Sequence, residues 1–438
     1  MELGRHGRWG KILPGIITLL AFGVASGSVP AGATVLTVDQ IVGNSPYTVS
    51  ANLAYDYESV GVSAQGGVMD QSAFTNTLNS AHKSALNVGF TEGASGAYNL
   101  SGTGVLQVAG QNILQASEIV GAGGATGTFN QSGGTNYMPG ATLYVGTGFL
   151  GLGATTTGTY NLSGDGVIDS TRVGEATGAE VIGDSGAHGT FNQTGGTNAC
   201  NNGVFIGSNV AWRYLNHSMP GAVGVYNLSG GILDTGGNGI TINGESGDGG
   251  EVVGDAGGTA TFNQSGGQNI ATDGGLAVGS DIYGAEVGGV GVFNLGGGTL
   301  TASPLPEAVL KTQPIGGEVI GTCLGIGTFN QTGGTNTVQV GLFVGSQVTY
   351  PLAPTKDIAP GTGTYNLSGG SLTASGTVAV GSSVLVPGED IGDAGSTGTF
   401  NQTGGVNTVT NGLFLGTDLF DKISLGKAGT GTYNLSGG

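Results

Sequence analysis

The chain has 438 residues, 94 of them glycine and 12 proline, and its acids outnumber its bases 28 to 10 for a net charge of −18. Glycine falls on no strict three-residue period, which excludes collagen, and 38% hydrophobic residues with a mean hydropathy of +0.14 exclude a disordered chain. An acidic surface of this size repels phosphate backbones and anionic lipid, so nucleic acid is excluded as a partner.

The first predicted element is a leader. Arg5, Arg8 and Lys11 precede an apolar run over 12–25 and a small-residue stretch ending Ala31-Gly32-Ala33. That order predicts a secretory signal over 1–33, cleaved after Ala33, and so an exported chain at the cell surface or outside the cell. The apolar run is too short to span a membrane, and no later stretch is long enough. Residues 34–96 follow as a degenerate first coil plus an N-terminal cap, because a solenoid end must be covered.

From residue 97 to 438 the chain repeats. An aromatic residue followed by Asn recurs at Tyr98, Phe129, Tyr160, Phe191, Tyr226, Phe262, Phe293, Phe329, Tyr365, Phe400 and Tyr433, at spacings of 31 to 36 residues. The units alternate: one class reads aromatic-Asn-Leu, as at Tyr98-Asn99-Leu100, and the other Phe-Asn-Gln, as at Phe129-Asn130-Gln131. Each unit holds three short strand-like segments and Gly-Gly corners, with no helical period. A propeller blade needs four strands and about 40 to 50 residues. The units therefore predict a parallel β-helix, an all-β solenoid of about eleven coils in two alternating types, with the β-propeller as runner-up.

Stacked coils place equivalent residues above one another. The asparagines after the aromatics, among them Asn130, Asn192, Asn263, Asn330 and Asn401, are expected to form an amide ladder. Ten of the eleven also read Asn-x-Ser/Thr, an acceptor pattern for glycosylation; only Asn294 does not. A second set seven residues after each Phe of the Gln class (Asn136, Asn198, Asn269, Asn336, Asn407) is expected to form another ladder. The aromatics are expected to stack in the core.

The sharpest chemical pattern is acidic. Glu118, Glu180, Glu251, Glu318 and Glu389 each stand eleven residues before a Phe of the Gln class, and Asp184, Asp255 and Asp393 follow three of them by four residues. One Glu on every second coil reads as a solvated edge that discourages aggregation or as a row of weak Ca²⁺ sites, calcium being the one cofactor entertained. No paired acids or Ser-His-Asp set stand out from the repeat, so no catalytic residue is assigned. Cys200 and Cys323 occupy different repeat positions several coils apart, which predicts two thiols and no disulfide.

Length changes accumulate after strands such as Val204-Phe205-Ile206-Gly207 and Leu342-Phe343-Val344-Gly345. The resulting insertions carry Trp212, Arg213, Tyr214 and His217, then Tyr350 and Lys356, then Phe420 and Lys422. Loops on a rigid scaffold concentrate binding residues, so these eight side chains are the candidate binding edge, toward a surface glycan or protein.

The Gly-Thr-Tyr-Asn-Leu-Ser-Gly-Gly and Gly-Thr-Phe-Asn-Gln-Ser/Thr-Gly-Gly blocks resemble the repeats of exported bacterial surface proteins, the autotransporter-type β-strand-repeat and PEP-CTERM-sorted proteins. The resemblance covers about 97–438 and implies a β-helical passenger. The translocating barrel or sorting tail of that family has no counterpart here. An uncapped last coil at Gly438 predicts self-association through an open strand edge. The expectation is a non-catalytic, structural or adhesive exported repeat protein; the alternative is a carbohydrate-active β-helix, a polysaccharide lyase or hydrolase.

Overall fold

The computed structural model describes residues 35–38, 46–79, 85–109, 117–148, 155–170, 179–200, 203–209, 221–236, 241–242, 245–246, 250–272, 274–281, 287–303, 317–347, 359–376, 388–418 and 427–438. Short strands with a residue facing inward at every second position cannot bury that side alone, so each coil lies on the next. Three sheets result. Sheet A has 13 strands, from Val35–Val38 to Leu413–Thr417; sheet B has 13, from Tyr47–Thr48 to Thr430–Leu435; sheet C has 12, from Leu53–Tyr55 to Val406–Thr410. The chain visits A, B and C in turn, and each strand pairs in parallel with its equivalents one coil before and one coil after.

This is the predicted parallel β-solenoid. Each sheet runs the length of the array, where a propeller would divide into separate four-stranded blades. The coil count differs slightly from the expected eleven, because segments before the first aromatic anchor also coil: Tyr57–Val60, Gly67–Gln71 and Thr75–Asn79 join sheets A, B and C in register. A short antiparallel pair, Thr241–Ile242 with Glu245–Ser246, stands outside the three sheets. No α-helix occurs among the described residues, and none of them forms a helix long and apolar enough to cross a membrane.

Register is fixed by identity. Tyr98, Phe129, Tyr160, Phe191 and Tyr226 pair directly up sheet B, and their rings stack with centroids 4.6–4.9 Å apart and planes 2–9° from parallel over the whole array. That separation is the strand spacing itself. Thirteen strands at about 4.8 Å make a rod on the order of 60 Å long. Each ring pair contributes about 0.5–1.5 kcal/mol beyond burial.

The corner from sheet A to sheet B explains one invariant glycine. Gly183 has φ 72°, and a Cβ there would lie 2.1 Å from the carbonyl oxygen of Val223 in the next coil. Left-handed backbone and close approach of two strands both require the missing side chain. The same conformation recurs at Gly121, Gly146, Gly254, Gly279 and Gly321.

Long connections leave from this corner on every second coil. Ser117–Ala122 is followed almost at once by Thr126–Gln131, whereas Val204–Ser208 leads to Val223–Leu228 and Leu342–Ser346 to Thr362–Leu367 only after the insertions. The strand ends that flank them therefore lie at one corner of the rod. Trp212, Arg213, Tyr214, His217, Tyr350, Lys356, Phe420 and Lys422 themselves lie outside the described residues, as does the leader over 1–33. Cys200 and Cys323 are buried thiols not joined in a disulfide, as their repeat positions predicted.

Candidate functional site

The chemistry-bearing side chains of the repeat converge inside the rod. In sheet A, the position of Glu118 is occupied by Leu on the adjacent coils, Leu86 before and Leu143 after, and Leu143 in turn precedes Glu180. Gln131 in sheet B lies between Leu100 and Leu162, and Asn136 in sheet C between Leu106 and Ile168. Glu118, Gln131 and Asn136 belong to one coil; Leu143, Leu162 and Ile168 belong to the next. The two repeat classes are thus a polar coil and an apolar coil in strict alternation. Glu58, Gln71 and Asn76 make the first polar coil, in a segment that lacks the aromatic anchor.

Each polar coil holds a hydrogen-bonded chain closed by the coil above it. The Asn136 amide donates to Glu118 Oε2 at 2.9 Å and to the hydroxyl of Tyr160 at 3.2 Å. Tyr160 donates to Gln131 Oε1 at 2.7 Å. Gln131 Nε2 donates to the carbonyls of Gly134 and Val167 at 3.1 and 2.9 Å. The same set recurs with Glu180, Asn198, Tyr226 and Gln193 and with Glu318, Asn336, Tyr365 and Gln331. This explains why Tyr belongs to the apolar coil and Phe to the polar one: the hydroxyl bonds the amides of the polar coil before it.

One tyrosine link is missing. Above Gln264 the aromatic is Phe293, no hydroxyl is present, and the buried Oε1 of Gln264 has no partner. Asn269 still donates to Glu251 at 2.7 Å.

Two expectations are corrected here. Glu118, Glu180, Glu251, Glu318 and Glu389 do not form a solvated edge or an open row of calcium ligands, because all five are at most 1% exposed and face the core. Burial raises the carboxyl of Glu118, Glu251 and Glu318 to about 8, and that of Glu58, Glu180 and Glu389 to about 7, against the opposing pull of the neighbouring Asn amide. A carboxyl sealed from water, whose ionisation burial opposes, is a poor ligand for a hard cation. Among the described residues no group of three or more His, Cys, Asp or Glu is placed to hold a metal. Second, Asn136, Asn198, Asn269, Asn336 and Asn407 do not form a ladder with one another. An apolar residue separates each from the next, and their amides bond Glu or Tyr instead.

The other ladder is present. Asn130 donates to Asn99, Asn161 to Asn130, Asn192 to Asn161, and so on through Asn263, Asn330 and Asn401 to Asn434, at 2.8–2.9 Å. Asn294 takes its place in the series although it is not followed by x-Ser/Thr. The ladder therefore accounts for the asparagine without the glycosylation pattern. Asp184, Asp255 and Asp393 form a further buried column at the corner, accepting from Thr147, Ser280 and Thr417 at 2.8–3.0 Å. In the coil of Asp393, Asp390 is raised to about 7 by burial and by the charge of Asp393.

Sequence reasoning missed one surface feature. The outer face of sheet B carries threonine columns, such as Thr126 beside Thr157 and Thr362 beside Thr397. Val290 and Ile326 interrupt the first column on adjacent coils and are 39% and 52% exposed; Val287 and Leu324, just before them, are 58% and 40% exposed. The signal was legible as Val-Gly-Val and Ile-Gly-Thr on adjacent coils, where five coils read Thr-Gly-Thr; Val223-Gly224-Val225 and His188 also depart from it.

No protein family, curated protein or solved structure matches this chain. The fold therefore defines its class, a parallel β-solenoid of alternating polar and apolar coils.

Proposed function

We propose that the chain is an exported, non-catalytic β-solenoid that serves as a structural or adhesive rod at the cell surface or in the extracellular matrix, in the manner of an autotransporter-type or PEP-CTERM-like passenger. One observation supports this reading above the others: the carboxyls and amides that make the repeat chemically distinctive are buried in the core, where they hold coils in register. What faces outward on sheet B is largely a hydroxyl and amide surface, with exposed apolar side chains on adjacent coils at Val290 and Ile326. A rigid rod with such a patch is suited to contact with a glycan or protein surface.

The test combines attachment with activity. The purified chain is incubated with immobilised neutral and acidic polysaccharides and with whole cells, and bound protein and released reducing sugar are both measured. Binding without sugar release, weakened several-fold by Val290→Thr with Ile326→Thr, is the expected result. Sugar or unsaturated-product release from an acidic polysaccharide would overturn the reading in favour of a carbohydrate-active β-helix. Export is checked separately by following the full chain, leader included, into the medium or surface fraction.

A further inference from the structure

The polar coils contain a proton-counting problem. In the coil of Glu118, every hydrogen bond has a fixed direction: Gln131 Nε2 donates to backbone carbonyls, Tyr160 donates to Gln131, and Asn136 donates to both Tyr160 and Glu118 Oε2. Two buried atoms are left without a partner, Glu118 Oε1 and Asn136 Oδ1. Both are acceptors, and they belong to the two side chains already joined by one bond. The same two orphans recur in the pairs Glu58–Asn76, Glu180–Asn198, Glu251–Asn269 and Glu318–Asn336. In the sixth polar coil neither oxygen of Glu389 is bonded, and Asn407 Oδ1 is likewise alone.

A fully buried acceptor without a donor costs about 1–3 kcal/mol, and more if charged. Ten such atoms in five identical pairs are not accidental defects. One proton per pair removes both. We infer that each of these glutamates is built into the folded rod as a neutral carboxylic acid, closed with its asparagine into a doubly hydrogen-bonded acid–amide pair, and that the row of pairs makes the solenoid an alkali-sensitive device, tight in mild acid and loosened as the pairs lose their protons.

The surroundings agree. The titratable groups coupled to these carboxyls are tyrosines and the next carboxyls along the column: Glu58 acts on Tyr55 of sheet C, Glu58 and Glu118 both act on Tyr98, Glu118 and Glu180 on Tyr160, Glu180 with Glu251 on Tyr226, which Cys200 also faces, and Glu318 with Glu389 on Tyr365. Glu180 acts on Glu118, and Glu251 and Glu389 on Glu318. All of these are acids, so each resists the ionisation of its neighbours. The raised proton affinity of the six carboxyls supports the same arrangement.

The sign follows from linkage. An unfolded glutamate ionises near pH 4.3, whereas the folded ones hold their protons to about 7 or 8. Between those limits the folded state binds more protons, so stability is greatest below the unfolded value and falls as pH rises through the folded one. Each pair contributes a change of about tenfold per pH unit to the local folding equilibrium.

The experiment compares the whole chain with its E118Q/E180Q/E251Q/E318Q variant. Glutamine reproduces the acid–amide pair with an amide proton that does not titrate. Melting temperature is followed from about pH 4 to pH 9, and infrared spectra of the wild type are recorded at pH 6. The expected result is a wild-type melting temperature that falls between the unfolded value and about pH 8 and levels off above it, a variant that loses most of that slope, and a protonated-carboxyl carbonyl band in the wild type that vanishes on unfolding. A wild type with a flat profile, parallel profiles in the two proteins, or absence of that band would overturn the inference. The band is read on the wild type alone, so the test survives a variant that fails to fold.

Discussion

Replacing Phe293 with tyrosine is the sharpest test at the scale of single residues. The new hydroxyl would donate to Gln264 Oε1, now a buried orphan, and accept from Asn269 as the other tyrosines accept from their asparagines. A gain of about 1 kcal/mol is expected, read as a higher midpoint in urea with an unchanged slope. The reverse change, Tyr160→Phe, should cost about 1–3 kcal/mol by stranding Gln131 Oε1. Gly183→Ala should be worse than either, since it combines φ 72° with a Cβ 2.1 Å from the Val223 carbonyl oxygen; about 3 kcal/mol is expected from the strained φ and the clash together, measured by the same denaturation. At this scale the sequence was legible where chemistry and position coincide, as in the asparagine ladder. It was misleading for Glu118 and its equivalents, because a charged residue in an acidic chain reads as surface. Only the register reveals that each is flanked above and below by an aliphatic residue, leucine or Val204, and faces an asparagine of the same coil.

The element that matters is the coil, and its alternation yields a deletion test. Removing residues 118–179 excises one polar and one apolar coil, so Glu180 follows the coil of Leu86 and the order is preserved. Removing 143–179 excises one apolar coil alone and sets Glu180 directly against Glu118, Gln193 against Gln131 and Asn198 against Asn136. Two carboxyls then share one strand spacing of about 4.8 Å, and the coil of Glu118 loses Tyr160, the tyrosine that tied it to the next coil. The pair deletion should fold with a circular dichroism spectrum close to the parent, and the shorter deletion should be the less stable protein despite losing fewer residues. Equal stability of the two would refute the alternation as a packing requirement. The two repeat classes were visible in the sequence as Leu against Gln after the asparagine. That Glu, Gln and Asn five to eighteen residues apart are one polar cross-section was not, because the sequence does not say where the corners fall.

Across the whole molecule, the thiols offer a direct check. Cys200 and Cys323 are buried, and burial lifts the Cys323 thiol to about 11. Native protein should therefore react slowly with a thiol reagent at pH 8, and two thiols per chain should appear in denaturant. A rapid reaction of either one in native protein would show that its coil opens locally.

Period, alternation, the aromatic stack, the asparagine ladder and the separation of the cysteines were determined by the sequence alone, because in a parallel solenoid identical residues at equal spacing must lie above one another. The inward or outward direction of each column was decided only by the tertiary structure. A strand has two faces that alternate residue by residue, and a short strand between glycine corners does not reveal which face meets the core. That choice turned a row of glutamates expected in water into the buried centre of the rod. It also left Val290 and Ile326, both apolar, on the exposed face of sheet B.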